Sequence, residues 1–209
     1  MGGQGRSRRT DAAQTRRARG FDFTAAIRTL CVHACGHVDD LAHINMHHVA
    51  VGFRQARKAV SHGLQASLTP MRFEGGELES VRKGRRWGTQ RILGSAGQDI
   101  LYLLNFYLPR FLDLPFEEKL TTIFHELWHV GPDFDGDLRR HEGRCYMHGP
   151  RQDDFDDVAR QMAKAWFATH PPQELWDFLR LDFADLRATH GSIYGERYPA
   201  PKLIPLGRK

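Results

Sequence analysis

The sequence predicts an α+β fold: a small sheet, antiparallel or mixed, packed on a helix that carries His125-Glu126-Leu127-Trp128-His129, with further helices towards both ends. Three observations predict it. Short apolar runs bounded by turn residues lie at 49–54, 67–74 and 99–108, ahead of that helix. Phe116, Leu120, Ile123 and Leu127 recur at intervals of three and four, and similar stripes stand near both ends of the chain. Finally, 209 residues with 41% hydrophobic and 26% charged content suit one core rather than two. The expected organisation is a basic, disordered segment at 1–20, a single domain at 21–197 and an extended tail at 198–209.

The first twenty residues hold Arg6, Arg8, Arg9, Arg16, Arg17 and Arg19 against Asp11, a surplus of +5 that equals the formal charge of the whole chain. The remainder is therefore balanced, and the pI of 9.3 belongs to the tail. Such a segment is a solvated terminus by default, although its charge can hold nucleic acid through counterion release, and its composition also imitates a transit peptide. No apolar stretch suits a secretory signal, which leads to the expectation of a cytoplasmic protein that meets no membrane. Three cysteines, an odd count, predict reduced thiols.

A helix is expected over 23–42, with Phe23, Ile27, Leu30, Ala34, Val38 and Leu41 as its apolar stripe. Cys31 and Cys35 fall beside the stripe, whereas His33 and His37 fall about 200° away from it. One ion cannot collect all four, so the cysteines are expected in the core and no second metal site is expected. Strands follow at 49–54 and 67–74, the latter closed by Gly75 and Gly76. The stretch from Arg82 to Gly88 mixes cations with Trp87, a combination able to track phosphates and stack a base. An exposed hairpin loop is the preferred reading, because Gly84 and Gly88 sit where turns are needed. The greasiest run, Ile100 to Leu112, is interrupted by Asn105, Pro109 and Arg110 and is too short for the ~20 apolar residues of a membrane span, so it is expected to be a buried strand.

Pro115, with Glu117 and Glu118 in the first turn, suits the start of the next helix, and Gly131-Pro132 ends it just past His129. Residues 153–169 predict another helix through Phe155, Val158, Ala159, Met162, Ala163, Trp166 and Phe167, stopped by Pro171 and Pro172. Short helical pieces are expected over 173–188, and an extended or frayed segment from Tyr198 onward.

The chemistry resides in the central helix. Residues four apart share a helical face, so His125 and His129 can direct two imidazoles at one ion, here Zn²⁺. Glu126 lies about 100° round the helix, placed to take a proton from water whose pKa the ion lowers from about 15.7 to about 7. A catalytic zinc needs a third protein ligand. His141 is the first choice, since Gly131, Pro132, Asp133, Asp135, Gly136 and Asp137 can turn the chain back, while Glu142, Asp135, His148 and Glu174 remain alternatives. Arg144, Tyr146 and His148 are candidates to stabilise an oxyanion, Tyr146 foremost.

These residues resemble the zincin superfamily of metallopeptidases, whose signature is His-Glu-x-x-His on the active-site helix. The run HELWHVGPDFDGDLRRHEGRCYMHG is similar to the compact SprT-like and phage metallopeptidases, in which a third histidine follows after a connection of about this length. The resemblance covers about 116–149. It implies a zincin-like domain with strands ahead of the active-site helix and an edge strand that binds extended peptide. It also implies one catalytic zinc on His125, His129 and His141, with Glu126 as general base. The metzincin pattern does not fit, because Pro132 and Asp135 stand where it needs glycine and histidine; a few zincins do use aspartate at that sixth position. The expected activity is hydrolysis of a peptide or protein substrate. The rivals are hydrolysis of another carbonyl substrate and a metal-stabilised nucleic-acid-binding module without hydrolase activity.

Overall fold

A computed structural model describes residues 20–56, 63–140 and 152–208. The described chain runs β1 (Gly20–Asp22), α1 (Phe23–His37), β2 (Val49–Gln55), β3 (Ala66–Pro70), β4 (Glu79–Arg82), β5 (Arg85–Thr89), β6 (Tyr102–Leu108), α2 (Phe116–Trp128), α3 (Gln152–Ala168), α4 (Phe183–His190), β7 (Ser192–Tyr194) and β8 (Leu203–Arg208), with short 3₁₀ turns between. It is a mixed α and β architecture, as expected. The segment 1–19 lies outside the described residues.

The central sheet has the order β2-β6-β3, with β2 parallel and β3 antiparallel to β6. It is therefore mixed, and β3 is an edge. Tyr102, Leu104, Phe106 and Leu108 alternate along β6 and bury one face against α1 and α2. Leu103, on the opposite face, joins Ala50, Met71 and Ile100 in a smaller core. Pro70 ends β3, a position where a missing N–H is tolerated on an edge strand, so the strand stops short of the expected 74.

Asp22 caps α1 by accepting from the Ala25 N–H at 3.0 Å. The buried face is Phe23, Ile27, Leu30, Cys31, Ala34 and Cys35, as its stripe predicts. The α-helix ends at His37 rather than 42. Asp39 and Asp40 follow, and their carboxylates oppose the negative end of the helix dipole but suit the first turn of the new 3₁₀ segment Asp39–Leu41.

In α2, Leu120, Ile123, Phe124 and Leu127 face the core. Lys119 is buried beside them, 2% exposed. Its ammonium donates to the carbonyls of Leu179 at 3.0 Å and Leu181 at 2.8 Å, tying the helix to the C-terminal segment. α3 buries Ala159, Met162, Ala163 and Trp166 and packs along α2.

A second sheet, β4-β5-β8, stands apart from the first. Lys83 and Gly84, both at positive φ, make its two-residue hairpin turn, so the hairpin is present but Gly88, expected at a turn, lies buried within β5 because the strand resumes at Arg85. Leu203–Arg208, expected to be extended or frayed, is extended but paired: it runs antiparallel to β5 from Leu203↔Thr89 to Arg208↔Arg85. Among the described residues, no helix is long and apolar enough to cross a membrane.

Candidate metal centre and cleft

The fold fixes the end of α2 from three sides. His125 occupies the last turn, and His129 is the C-cap residue, still in a right-handed conformation. Beyond it the chain reverses: Gly131 N–H bonds the Asp137 carbonyl at 3.1 Å, and the Arg139 N–H returns to the His129 carbonyl at 2.8 Å. Gly131 is needed because a Cβ there would lie 2.7 Å from the Asp137 carbonyl oxygen. The Tyr102 hydroxyl, buried on β6, donates to that same carbonyl at 2.8 Å and accepts from the Gly136 N–H at 3.1 Å. The loop is thus pinned to the sheet.

The two imidazoles converge. Their Nε2 atoms are 3.0 Å apart and their rings are nearly perpendicular at 81°. Two nitrogens held at ~2.0–2.1 Å by one tetrahedral ion stand about 3.3 Å apart, so this pair is close to the spacing that a shared ion needs. Asp156, from the first turns of α3, lies 2.7 Å from His125 Nδ1. With Nδ1–H donating to that carboxylate, the free lone pair of a neutral His125 is on Nε2, the nitrogen directed at His129. Phe155 packs over both rings, 5.0 Å from His125 and stacked 4.5 Å from His129.

Glu126 is 7% exposed. Burial pushes its carboxyl up to about 8, partly offset by a hydrogen bond from the backbone of Leu68. Gln65 accepts from the Tyr107 N–H of β6 and the Met71 N–H donates to Leu101 just before it, which leaves the alternate Leu68 N–H on the outer edge of β3 to hold Glu126. A cavity of about 700 Å³ opens between this edge, α2 and α3, with His125, Glu126, Asp156 and Ala66 among its walls.

Among the described residues, no group of three or more His, Cys, Asp or Glu side chains is placed to hold a metal. Asp135 accepts from the Asp137 N–H at 3.0 Å and packs against Gly76, and Glu174 is exposed on its 3₁₀ turn. His141, Glu142, Arg144, Tyr146 and His148 lie outside the described residues. Sequence reasoning missed Asp156, Phe155 as a lid and the Leu68 contact. Asp156 sits in an acidic run, Asp153, Asp154, Asp156 and Asp157, that reads only as the anionic start of a helix. Nothing local tells which aspartate meets a histidine 31 positions earlier.

The basic hairpin offers fewer free cations than its sequence suggests. Arg86 pairs with Glu79, and Arg82 lies 5.3 Å over the Phe73 ring. Cys31 and Cys35 are buried and unbridged, as expected. Compared with protein-family models, curated proteins and solved structures, the chain matches none.

Proposed function

We propose that the chain is a zinc-dependent metallopeptidase. One observation carries the reading: two histidine Nε2 atoms meet at 3.0 Å beside a buried glutamate, with the far nitrogen of one ring already engaged by a carboxylate. Two imidazole nitrogens are part of the donor set of a zinc hydrolase and suit the softness of this ion.

His125 and His129 would hold the zinc, and His141 would complete the set. When bound, zinc supplies a Lewis acid that polarises the scissile carbonyl and acidifies water. Asp156 keeps Nε2 of His125 free by accepting its Nδ1 proton. In its ionised form Glu126 takes the proton of the attacking water and passes it to the leaving amine nitrogen. The Leu68 N–H fixes that carboxylate during the transfer, and Phe155 limits water around the imidazoles. Tyr146 is the side chain proposed to donate to the oxyanion. Substrate backbone would pair with the part of the β3 edge that Glu126 leaves open, at Ala66.

The test is metal analysis together with proteolysis of an unstructured protein. One zinc per chain is expected, with cleavage that chelation stops. Glu126→Gln should retain zinc and lose cleavage by at least about a hundredfold. A chain that takes up no zinc, or a Glu126→Gln variant as active as the parent, overturns the proposal.

A further inference from the structure

The cleft continues well beyond the histidine pair. Its walls run along α2 from Glu126 back to Glu117 and along α3 from Asp156 to Phe167. At about 1.5 Å per residue these stretches are about 14 and about 17 Å long, enough for four or five residues of extended peptide at about 3.3 Å each. Leu120 and Ala163 form an apolar floor. The far end is closed by Phe116 and Phe167, whose rings lie 5.5 Å apart and pack against Trp176 at 5.7 and 5.0 Å. That aromatic wall is held by its own contacts and needs no occupant to form it.

On the α3 wall, small Ala163 leaves room that a larger side chain would fill. Charge at the mouth leans acidic: Glu117 and Glu118 line the α2 side and Asp156, Arg160 and Lys164 the α3 side, where Arg160 is already paired with Asp157. An acidic side chain is disfavoured by such a rim, whereas an apolar one is complementary to the floor.

We propose that this groove is a specificity subsite for a large uncharged side chain, of the Phe, Leu, Met or Trp kind, near the scissile bond, and that Ala163 sets its size limit. The inference rests on the hydrolase reading above, because it assigns the groove to that reaction's substrate.

The experiment is cleavage of a peptide library by the zinc-loaded full chain, with each position on either side of the bond varied among Phe, Leu, Ala, Asp and Lys. At one position Phe and Leu should exceed Ala, Asp and Lys by about tenfold or more. Ala163→Phe, and Thr121→Phe from the half-exposed opposite wall, should each collapse the Phe-to-Ala ratio towards one. A flat profile, a preference for charged residues, or a ratio unchanged in the variants overturns the proposal. If Ala163→Phe does not fold, Thr121→Phe decides.

Should the parent chain cleave nothing, the hydrolase reading fails by itself. The groove is then judged by fluorescence anisotropy of the same peptides on Glu126→Gln. Tighter binding of the Phe and Leu peptides, lost in Thr121→Phe, sustains the subsite; equal binding of all peptides overturns it.

Discussion

Among the described residues, helices α1 and α2 each bring together two histidines four apart, and only at the end of α2 do the Nε2 atoms converge. On α1, His33 and His37 stack face to face, 3.8 Å apart and 2° from parallel. On α2, His125 and His129 stand nearly perpendicular with their Nε2 atoms together. Spacing is the same, but one ring of each pair is held differently at its other nitrogen, while His37 Nδ1–H donates to the His33 carbonyl at 2.8 Å. Trp166 Nε1–H donates to Nδ1 of His33 at 3.1 Å, which places the proton of a neutral His33 on Nε2 and makes that nitrogen a donor. Asp156 does the reverse at His125, accepting from Nδ1 and leaving Nε2 as a lone pair. Helical spacing brings two imidazoles together; ring orientation and the group behind each ring set which nitrogens converge.

The sharpest way to break this comparison is to remove one member of each pair. His125→Ala or His129→Ala should reduce bound zinc from one equivalent per chain to none, whereas His33→Ala and His37→Ala should retain the full equivalent. Plasma emission spectrometry on the dialysed proteins reads this directly. Equal loss from both helices would mean that the α1 pair binds metal too.

The second way is to alter the group behind the ring. Asp156→Ala should leave both ligands present yet weaken zinc binding about 10- to 100-fold in competition with a chromogenic chelator. Asp156→Asn should recover part of it, since an amide oxygen can still accept from Nδ1. An unchanged affinity in both variants would reduce Asp156 to a surface ion pair, worth little by itself.

This division also marks what was legible in the sequence. The α2 helix was readable because its signals are local: Pro115 and two glutamates at its start, a stripe at three and four, and Gly131-Pro132 at its end. The burial of Cys31 and Cys35 was readable for the same reason, since helical angle alone separates them from His33 and His37. Asp156 was not, because its role depends on how α3 packs on α2, which periodicity leaves undetermined. The pairing of β8 was equally hidden. Pro205 and Gly207 argue against a regular strand, yet the backbone pairs with β5 from more than a hundred residues earlier, with a bulge between Arg86 and Trp87 absorbing the irregularity. Lys119 is a third case, a cation set beside the core stripe that becomes buried only because two carbonyls of the C-terminal segment receive it.

A smaller effect is expected on the α1 side, where the role of the histidine is structural. Trp166→Phe removes the donor to His33 and leaves a small void in a buried site, a cost of about 1 to 2 kcal/mol in urea unfolding. Zinc content should not change. A concurrent loss of zinc would show that the two helices are coupled through α3, which carries both Trp166 and Asp156.

The least of the expected effects is one of pH, and its sign follows from the same hydrogen bond. Burial, and then the neighbouring His37, hold the His33 pKa below its ordinary value. The unfolded chain therefore binds this proton first, so the contribution of His33 is fully present above about pH 6.5 and is lost as the pH falls towards the lowered folded value. Protonation would also place a hydrogen on Nδ1, facing the Trp166 N–H that now donates to it. The thermal midpoint should accordingly fall between pH 7 and pH 5. His43, lowered mainly by burial, adds in the same direction, so only part of the decline belongs to His33. His33→Gln keeps an oxygen able to accept from Trp166 but cannot titrate, and the decline should be shallower in that variant. A decline of identical steepness in the parent and the variant would mean that the α1 ring stays neutral over this range, and that the contrast between the two pairs lies in geometry alone.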